Sequence, residues 1–394
     1  MKLEIPAYVK VLMDQLNDSG YECYIVGGAI RSMLLGLPVH DYDLTTNALP
    51  EQMKTVFTSN KTIDTGLKHG TLTVLSSHHP IEITTYRKDS TYQDHRHPDA
   101  VQFTSAIEED CARRDFTINA FCYNDNDGIL DFFNGRQDLE NHILRCIGDP
   151  SQRFEEDALR ILRAVRFASQ LHFEIEVNTK NAIFTKKDLL SYISLERIHE
   201  EMDGFLNAEK CASYLDTYRE VIAVFLPEIK DVPHWDTVLK QIDNAPSDAV
   251  VRTAVLFTGL PDPSVLCRRL KYTNAEIKTI TSLIKYRDTC IADRVSMHKF
   301  LSIYHEDFTV YLHYRSALDP SFAADDAAAL YQQIIDHHDC TSLAQLAVSG
   351  NDIKALGYSG KMIAEKLTEL LNAVMEDQIP NEKEELMKYI KRED

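Results

Sequence analysis

Tyr21-Glu-Cys-Tyr-Ile-Val-Gly-Gly-Ala-Ile-Arg-Ser-Met-Leu-Leu-Gly36, followed by His40-Asp-Tyr-Asp-Leu-Thr-Thr46, decides the fold of this 394-residue chain. Tyr21 to Val26 is rich in β-branched and aromatic residues and reads as a strand. Gly27 and Gly28 interrupt it without side chains, which lets backbone N–H groups approach an anion at the N-terminus of the next helix. Arg31 lies one turn into that helix, and Gly36 ends it. A second strand carries Asp41 and Asp43, two apart, so the pleat predicts both carboxylates on one face. Two carboxylates beside a phosphate cradle suit a pair of Mg²⁺ ions clamping a phosphoryl group, which is the chemistry of nucleotidyl transfer.

Working outward, Thr71–Leu75 and Ile81–Tyr86 read as strands of a hairpin. In the second of them Glu82 faces away from Ile81 and Ile83. It is either a third carboxylate for the metals or part of a solvated strand face. A helix is expected around Asp110–Ala120, then a second hairpin, Ala120–Tyr123 with Ile129–Phe132, around Asn-Asp-Asn-Asp-Gly. After residue 150 the pattern is almost wholly helical, punctuated by Pro227, Pro233, Pro261 and Pro263. The expected class is α+β, with a mixed-sheet head over residues 1–150 followed by helices.

Composition fits that picture. The chain is 44% hydrophobic and 26% charged, as folded soluble proteins are. It shows no apolar leader and no membrane-length apolar run, so a cytoplasmic protein away from membranes is expected. Eight cysteines without a Cys-x-x-Cys pair point to reduced thiols rather than disulfides or zinc. The net charge of −19 runs against a nucleic-acid partner, which usually meets a basic footprint. Residues 151–200, however, balance at eight basic and eight acidic residues, and arginines gathered in a cleft can oppose an acidic exterior.

That balanced stretch contains Glu155-Glu-Asp-Ala-Leu-Arg-Ile-Leu-Arg-Ala-Val-Arg-Phe167. On a continuous helix Phe154, Ala158, Ile161, Leu162, Val165 and Ala168 form one buried stripe. Asp157, Arg160, Arg163 and Arg166 wind along the other side at steps of three. Three arginines so spaced repel one another unless something anionic or a planar acceptor docks there. An aspartate beside an arginine matches the exocyclic amine and acceptor ring nitrogen that cytosine and adenine share. Uracil and guanine present the reverse pattern and leave both protein groups unpaired, at about 1–3 kcal/mol per buried group.

The order strand, Gly-Gly, Arg, Asp-x-Asp resembles the nucleotidyltransferase superfamily that includes DNA polymerase β. Its wording is similar to the branch holding tRNA nucleotidyltransferases and bacterial poly(A) polymerases. Arg113-Arg-Asp-Phe-Thr-Ile-Asn-Ala120 matches that branch's second signature, and Glu156-Asp-x-x-Arg-x-x-Arg163 resembles the amino-acid template of class II CCA-adding enzymes. The resemblance implies CCA addition to the tRNA 3′ end from CTP and ATP, with Mg²⁺ as cofactor. It implies Asp41 and Asp43 as metal ligands, with Glu82 as their catalytic companion. Gly28, Arg31 and Arg114 would bind the nucleotide, and Asp115 and Asn119 would hold the ribose or the helix. Asp157 and Arg160 would read the base, with Arg163 and Arg166 supporting the nucleotide. It also implies a neck over 151–205, a body over 206–310 and a tRNA-binding tail over 311–394. The polar loop from Tyr86 to Pro98 would permit the final A. Ser32 departs from the family's usual Asp, and in Leu130-Asp-Phe-Phe-Asn-Gly-Arg-Gln-Asp138 the proline usual after Asp131 is absent.

Alternatives stay open at this point. They are a poly(A) polymerase, an A-only or CC-only tRNA nucleotidyltransferase, a small-molecule nucleotidyltransferase, and a catalytically silent RNA-binding protein. Monomer and homodimer are equally compatible with the sequence.

Overall fold

The computed structural model describes residues 2–89 and 101–393, so most of the polar loop expected between Tyr86 and Pro98 lies outside the described residues. Contacts divide the chain into two units, Met1–Asp231 and Val232–Asp394.

The first unit opens with helix α1 (Ala7–Asp18), strand β1 (Cys23–Val26), α2 (Gly28–Leu34), β2 (Asp43–Thr46) and α3 (Pro50–Val56). Next come β3 (Thr62–Ile63), β4 (Thr71–Ser76), β5 (His79–Thr85), β6 (Arg87–Asp89), β7 (Val101–Phe103) and α4 (Ile107–Ala112). Strands β8 (Cys122–Asn124) and β9 (Gly128–Leu130) follow. Seven strands form one mixed sheet in the order β3-β4-β5-β2-β1-β8-β9, in which β2 and β5 run parallel. The interior strand β1 is buried along its whole length, with α1 and α2 packed against it. In β5 the residues Ile81, Ile83 and Thr85 are buried while Glu82 is exposed, as a strand with one covered face requires. Ser77 and His78 join β4 to β5 with φ of 48° and 69°, the positive values that a two-residue hairpin turn demands.

Three local expectations need correction. Strand β2 begins at Asp43, so Asp41 precedes the strand rather than sharing its pleat. The helix expected over Asp110–Ala120 stops at Ala112, and a short 3₁₀ turn occupies Thr117–Asn119. Here tertiary pairing outweighs helix propensity. Phe116 is extended and bridges to Cys146, while the Thr117 N–H donates to the Arg145 carbonyl at 3.0 Å and the Ile147 N–H to the Asp115 carbonyl at 3.1 Å. The third correction falls on the continuous helix through the 150s. It is two helices, preceded by α5 (Gly135–Glu140): α6 (Pro150–Glu156) and α7 (Leu159–Leu171). Asp157 between them is extended, with φ −141° and ψ 103°, and its carboxylate accepts from the Leu159 N–H at 3.1 Å. It therefore satisfies one of the donors that a new helix leaves open. The apolar stripe survives the break, and Phe154, Ala158, Ile161, Leu162, Val165 and Ala168 are all buried.

Helix α7 packs on α9 (Leu195–Leu206), after α8 (Val177–Lys186). Gly204 makes that approach possible, since a Cβ there would sit 2.6 Å from Cδ of Arg166. The second unit is helical among its described residues, from Trp235–Asn244 to Lys383–Glu393. Phe300, Tyr304, Phe308 and Tyr311 stack into one of its cores, and Ile353, Leu370, Leu371, Leu386 and Ile390 into another. Among the described residues no helix is long and apolar enough to cross a membrane, and all eight cysteines are free thiols.

Candidate active site

Glycine at 27 is a structural requirement. Its φ is +73°, and a Cβ there would come within 3.2 Å of the Arg114 guanidinium. That close approach brings the glycine turn, α2 and the end of α4 around one cavity of about 350 Å³. Gly27, Gly28, Arg31, Asp43, Arg114, Asp115, Asn119, Asp157, Arg160, Arg163, Phe167 and Arg197 all contribute to its wall. Of the residues expected from sequence to act on substrate or metal, Asp41, Glu82 and Arg166 do not line it.

The register of the sheet sets the carboxylates. β2 and β5 run parallel with Asp43 paired to Glu82, so the two side chains stand side by side on one face. Desolvation, then the Glu82 charge, raises the Asp43 pKa; Arg114 opposes the rise and the Asp41 charge adds to it. An acidic group crowded by two like charges is a place where a cation is stabilising. Asp41 and Asp43, with Glu82 beside them, therefore fit a divalent metal by the chemistry of their oxygen donors.

The cavity lining also includes arginines with spare donors. Arg114 is held by buried Asp110 at 3.7 Å, and its Nε is buried without a hydrogen-bond partner. Burial disfavours its charge, yet Asp110 together with Cys122, Cys111 and Asp43 outweighs that and its pKa is raised. Arg31 donates to Asn119, and its Nε is likewise buried without a partner. Burial pulls the Arg31 guanidinium down to about 10 despite the Asp115 carboxylate, and the positive charges of Arg166 and Arg163 push the same way. Two desolvated guanidiniums with donors to spare describe an anion site.

Asp115 organises the next layer. Its Oδ2 accepts from Arg163 at 2.7 and 2.8 Å, and its Oδ1 from Asn119 at 3.0 Å and the Phe116 N–H at 2.8 Å. Burial opposes its ionisation, but the Arg163 charge and these hydrogen bonds hold the carboxyl down at about 2. Arg163 also faces Glu201 at 3.5 Å, and Arg166 donates to Glu201 at 2.6 Å.

The proposed base-reading pair is arranged differently from a simple Asp beside a free Arg. Asp157 accepts from Arg197 of α9 at 3.0 and 3.4 Å. Arg160 is buried, and its amino groups donate to Glu156 at 2.8 Å, to the Arg153 carbonyl at 3.0 Å and to the Arg113 carbonyl at 3.1 Å. Arg153 donates to the carbonyls of Arg113 and Arg114. Together these two arginines satisfy carbonyls that the end of α4 leaves open, which ties the Arg114 backbone to α6 and α7. Sequence reading did not place Arg197 in the site. Its signal was its place in Ser194-Leu-Glu-Arg-Ile-His-Glu-Glu201, forty residues from the aspartate it holds.

Comparison with known proteins agrees with this architecture. Residues 23–145 match the poly A polymerase head domain family, residues 172–232 a family described as an RNA and SrmB binding site of polymerase A, and residues 249–390 domain 2 of tRNA nucleotidyltransferase. A CCA-adding enzyme of Lacticaseibacillus paracasei is 34% identical over 383 residues, covering 95% of this chain and 94% of that one. One from Ligilactobacillus salivarius is 45% identical over 229 residues, which span 54% of this chain and 56% of the relative. The crystal structure of the Bacillus stearothermophilus CCA-adding enzyme in complex with CTP matches with a TM-score of 0.84 and 29% identity, over 99% of this chain and 98% of that one. With its mixed-sheet head, helical remainder and end-to-end relatives, the chain belongs to the family of CCA-adding enzymes, which are tRNA nucleotidyltransferases.

Proposed function

We propose that this chain adds C, C and A in turn to the 3′ end of tRNA from CTP and ATP, without a nucleic-acid template, releasing pyrophosphate at each step. One observation carries the reading. One cavity is lined by Asp43, Arg31 and Arg114 and by Asp157 at the break between α6 and α7. One relative of known structure was crystallised with CTP, and the cavity here suits a cytidine triphosphate.

Nucleotidyltransferases of this family use a divalent metal. We take it to be Mg²⁺, held by Asp41 and Asp43 with Glu82 adjacent. Bound there, the metal would supply charge neutralisation for the attacking and leaving oxygens of an in-line displacement. The chain's own residues do the rest. Arg31 and Arg114 present donors to the triphosphate, where negative charge builds on the departing pyrophosphate. Gly27 and Gly28 keep side chains away so that the phosphates approach the backbone. Asp157 accepts from the exocyclic amine of cytosine or adenine, and Arg160 stands next to it. Arg163 holds its side of the cavity through Asp115 and Glu201, and Arg166 ties to the same Glu201 behind it.

On this reading residues 1–150 form the catalytic head, 151–205 the neck that reads the nucleotide, 206–310 the body and 311–394 the tail that binds tRNA. The setting is the cytoplasm, where tRNA is the partner, and the active form is a monomer or homodimer. Incubating the protein with Mg²⁺ and a tRNA ending at the discriminator base tests the proposal. CTP alone should extend it by two residues, and ATP should then extend that product by one. Extension by ATP only, or by CTP only with ATP present, identifies a partial enzyme and overturns the reading.

A further inference from the structure

Phe167 lies on α7 and lines the cavity, and three guanidinium carbons surround its ring. Arg31 is 5.0 Å from the ring centroid, Arg163 5.2 Å and Arg166 4.3 Å. All three lie within the range where the ring quadrupole attracts a cation. The residue is 8% exposed, and Phe116 braces its ring edge-on at 6.0 Å and 81°. Three cations this close repel, and the carboxylates nearby are unequally shared. Arg163 has Asp115 and Glu201, and Arg166 has Glu201. Among the described residues Arg31 has the Asn119 amide but no carboxylate within ion-pair distance. The aromatic face thus adds to the Asp115 charge in stabilising Arg31, which lines the cavity.

We infer that Phe167 is a positioning residue for nucleotide binding: its ring gathers Arg31, Arg163 and Arg166 so that Arg31 meets the incoming nucleotide preset. The inference rests on the nucleotide reading of the cavity given above. A leucine fills similar space without a negative face, so it separates this role from packing. A tyrosine keeps the face.

The test measures kcat and KM for CTP and ATP on tRNA acceptors, together with CTP binding by titration calorimetry in the presence of Mg²⁺. Phe167→Leu is expected to raise KM for both nucleotides about tenfold, the loss of one desolvated cation–π contact, with kcat changed less than about twofold. Phe167→Tyr should stay within about twofold of wild type for the same reason. In a double-mutant cycle, Phe167→Leu and Arg31→Gln should combine to clearly less than the product of their separate effects. If the leucine variant does not fold, Phe167→Met takes its place in the cycle. Unchanged KM in the ring-less variant, a loss confined to kcat, failure of tyrosine to rescue, or fully multiplicative effects with Arg31→Gln each overturn the inference. Absence of CMP transfer by the wild type would instead overturn the function, while CTP binding by the variants still reports on the ring.

Discussion

Replacing Asp115 by Asn removes the buried charge that anchors Arg163 while keeping the size of the side chain. Its carboxyl is held at about 2 in the folded protein, against an ordinary 3.8. The direction is the usual one for a paired carboxylate. Its stabilisation is fully present above the unfolded value and is lost as pH falls toward the folded one. A shift of that size is worth about 2 kcal/mol at neutral pH, and about half of it is gone by pH 3. The substituted amide does not titrate, so the gap in stability between wild type and Asp115→Asn should narrow by about 1 kcal/mol between pH 7 and pH 3. The only tryptophan, Trp235, belongs to the second unit. The assay is therefore hydrogen exchange in urea, followed by mass spectrometry on peptides from residues 107–147 at pH 7, 5 and 3. A gap that stays constant across that range would refute ionisation of Asp115 as the source of its effect.

Asp43→Ala should abolish transfer with the fold intact, because a metal ligand is lost; substantial turnover by a folded variant would show that the carboxylates are not the metal site. Asp157→Ala should erode selection rather than chemistry. The lost hydrogen bond is worth about 1.5–3 kcal/mol, so UTP and GTP should gain about ten- to more than a hundredfold relative to CTP and ATP in kcat/KM. Equal losses for all four nucleotides would mean that Asp157 serves only to hold Arg197. Gly27→Ala should raise KM for every nucleotide, since it meets both a positive φ and a methyl 3.2 Å from Arg114; an unaffected KM would show that the turn yields freely.

The head was legible because its signals are local. Period-two alternation exposed Glu82 and buried Ile81 and Ile83, and the Gly-Gly break announced the turn where Gly27 takes its positive φ. What escaped depends on distant partners. Nothing between Glu156 and Leu159 is a helix breaker by propensity; alanine at 158 favours continuation. The break exists where Asp157 turns its carboxylate to Leu159 and to Arg197. Likewise Arg160 looked free on a charged face, but the end of α4 offers it carbonyls that no local pattern reveals. Asp41 and Asp43 read as one pleat because spacing carries no information on where the ladder with β1 and β5 begins.

The most direct measurement is the 3′-end sequence of a tRNA lacking CCA after incubation with the protein, Mg²⁺ and all four nucleoside triphosphates together. On the proposed reading, in which the Asp157 carboxylate favours amine-bearing bases, the ends should read CCA with U and G absent. Runs of A, or U and G at the level of their supply, would contradict the account.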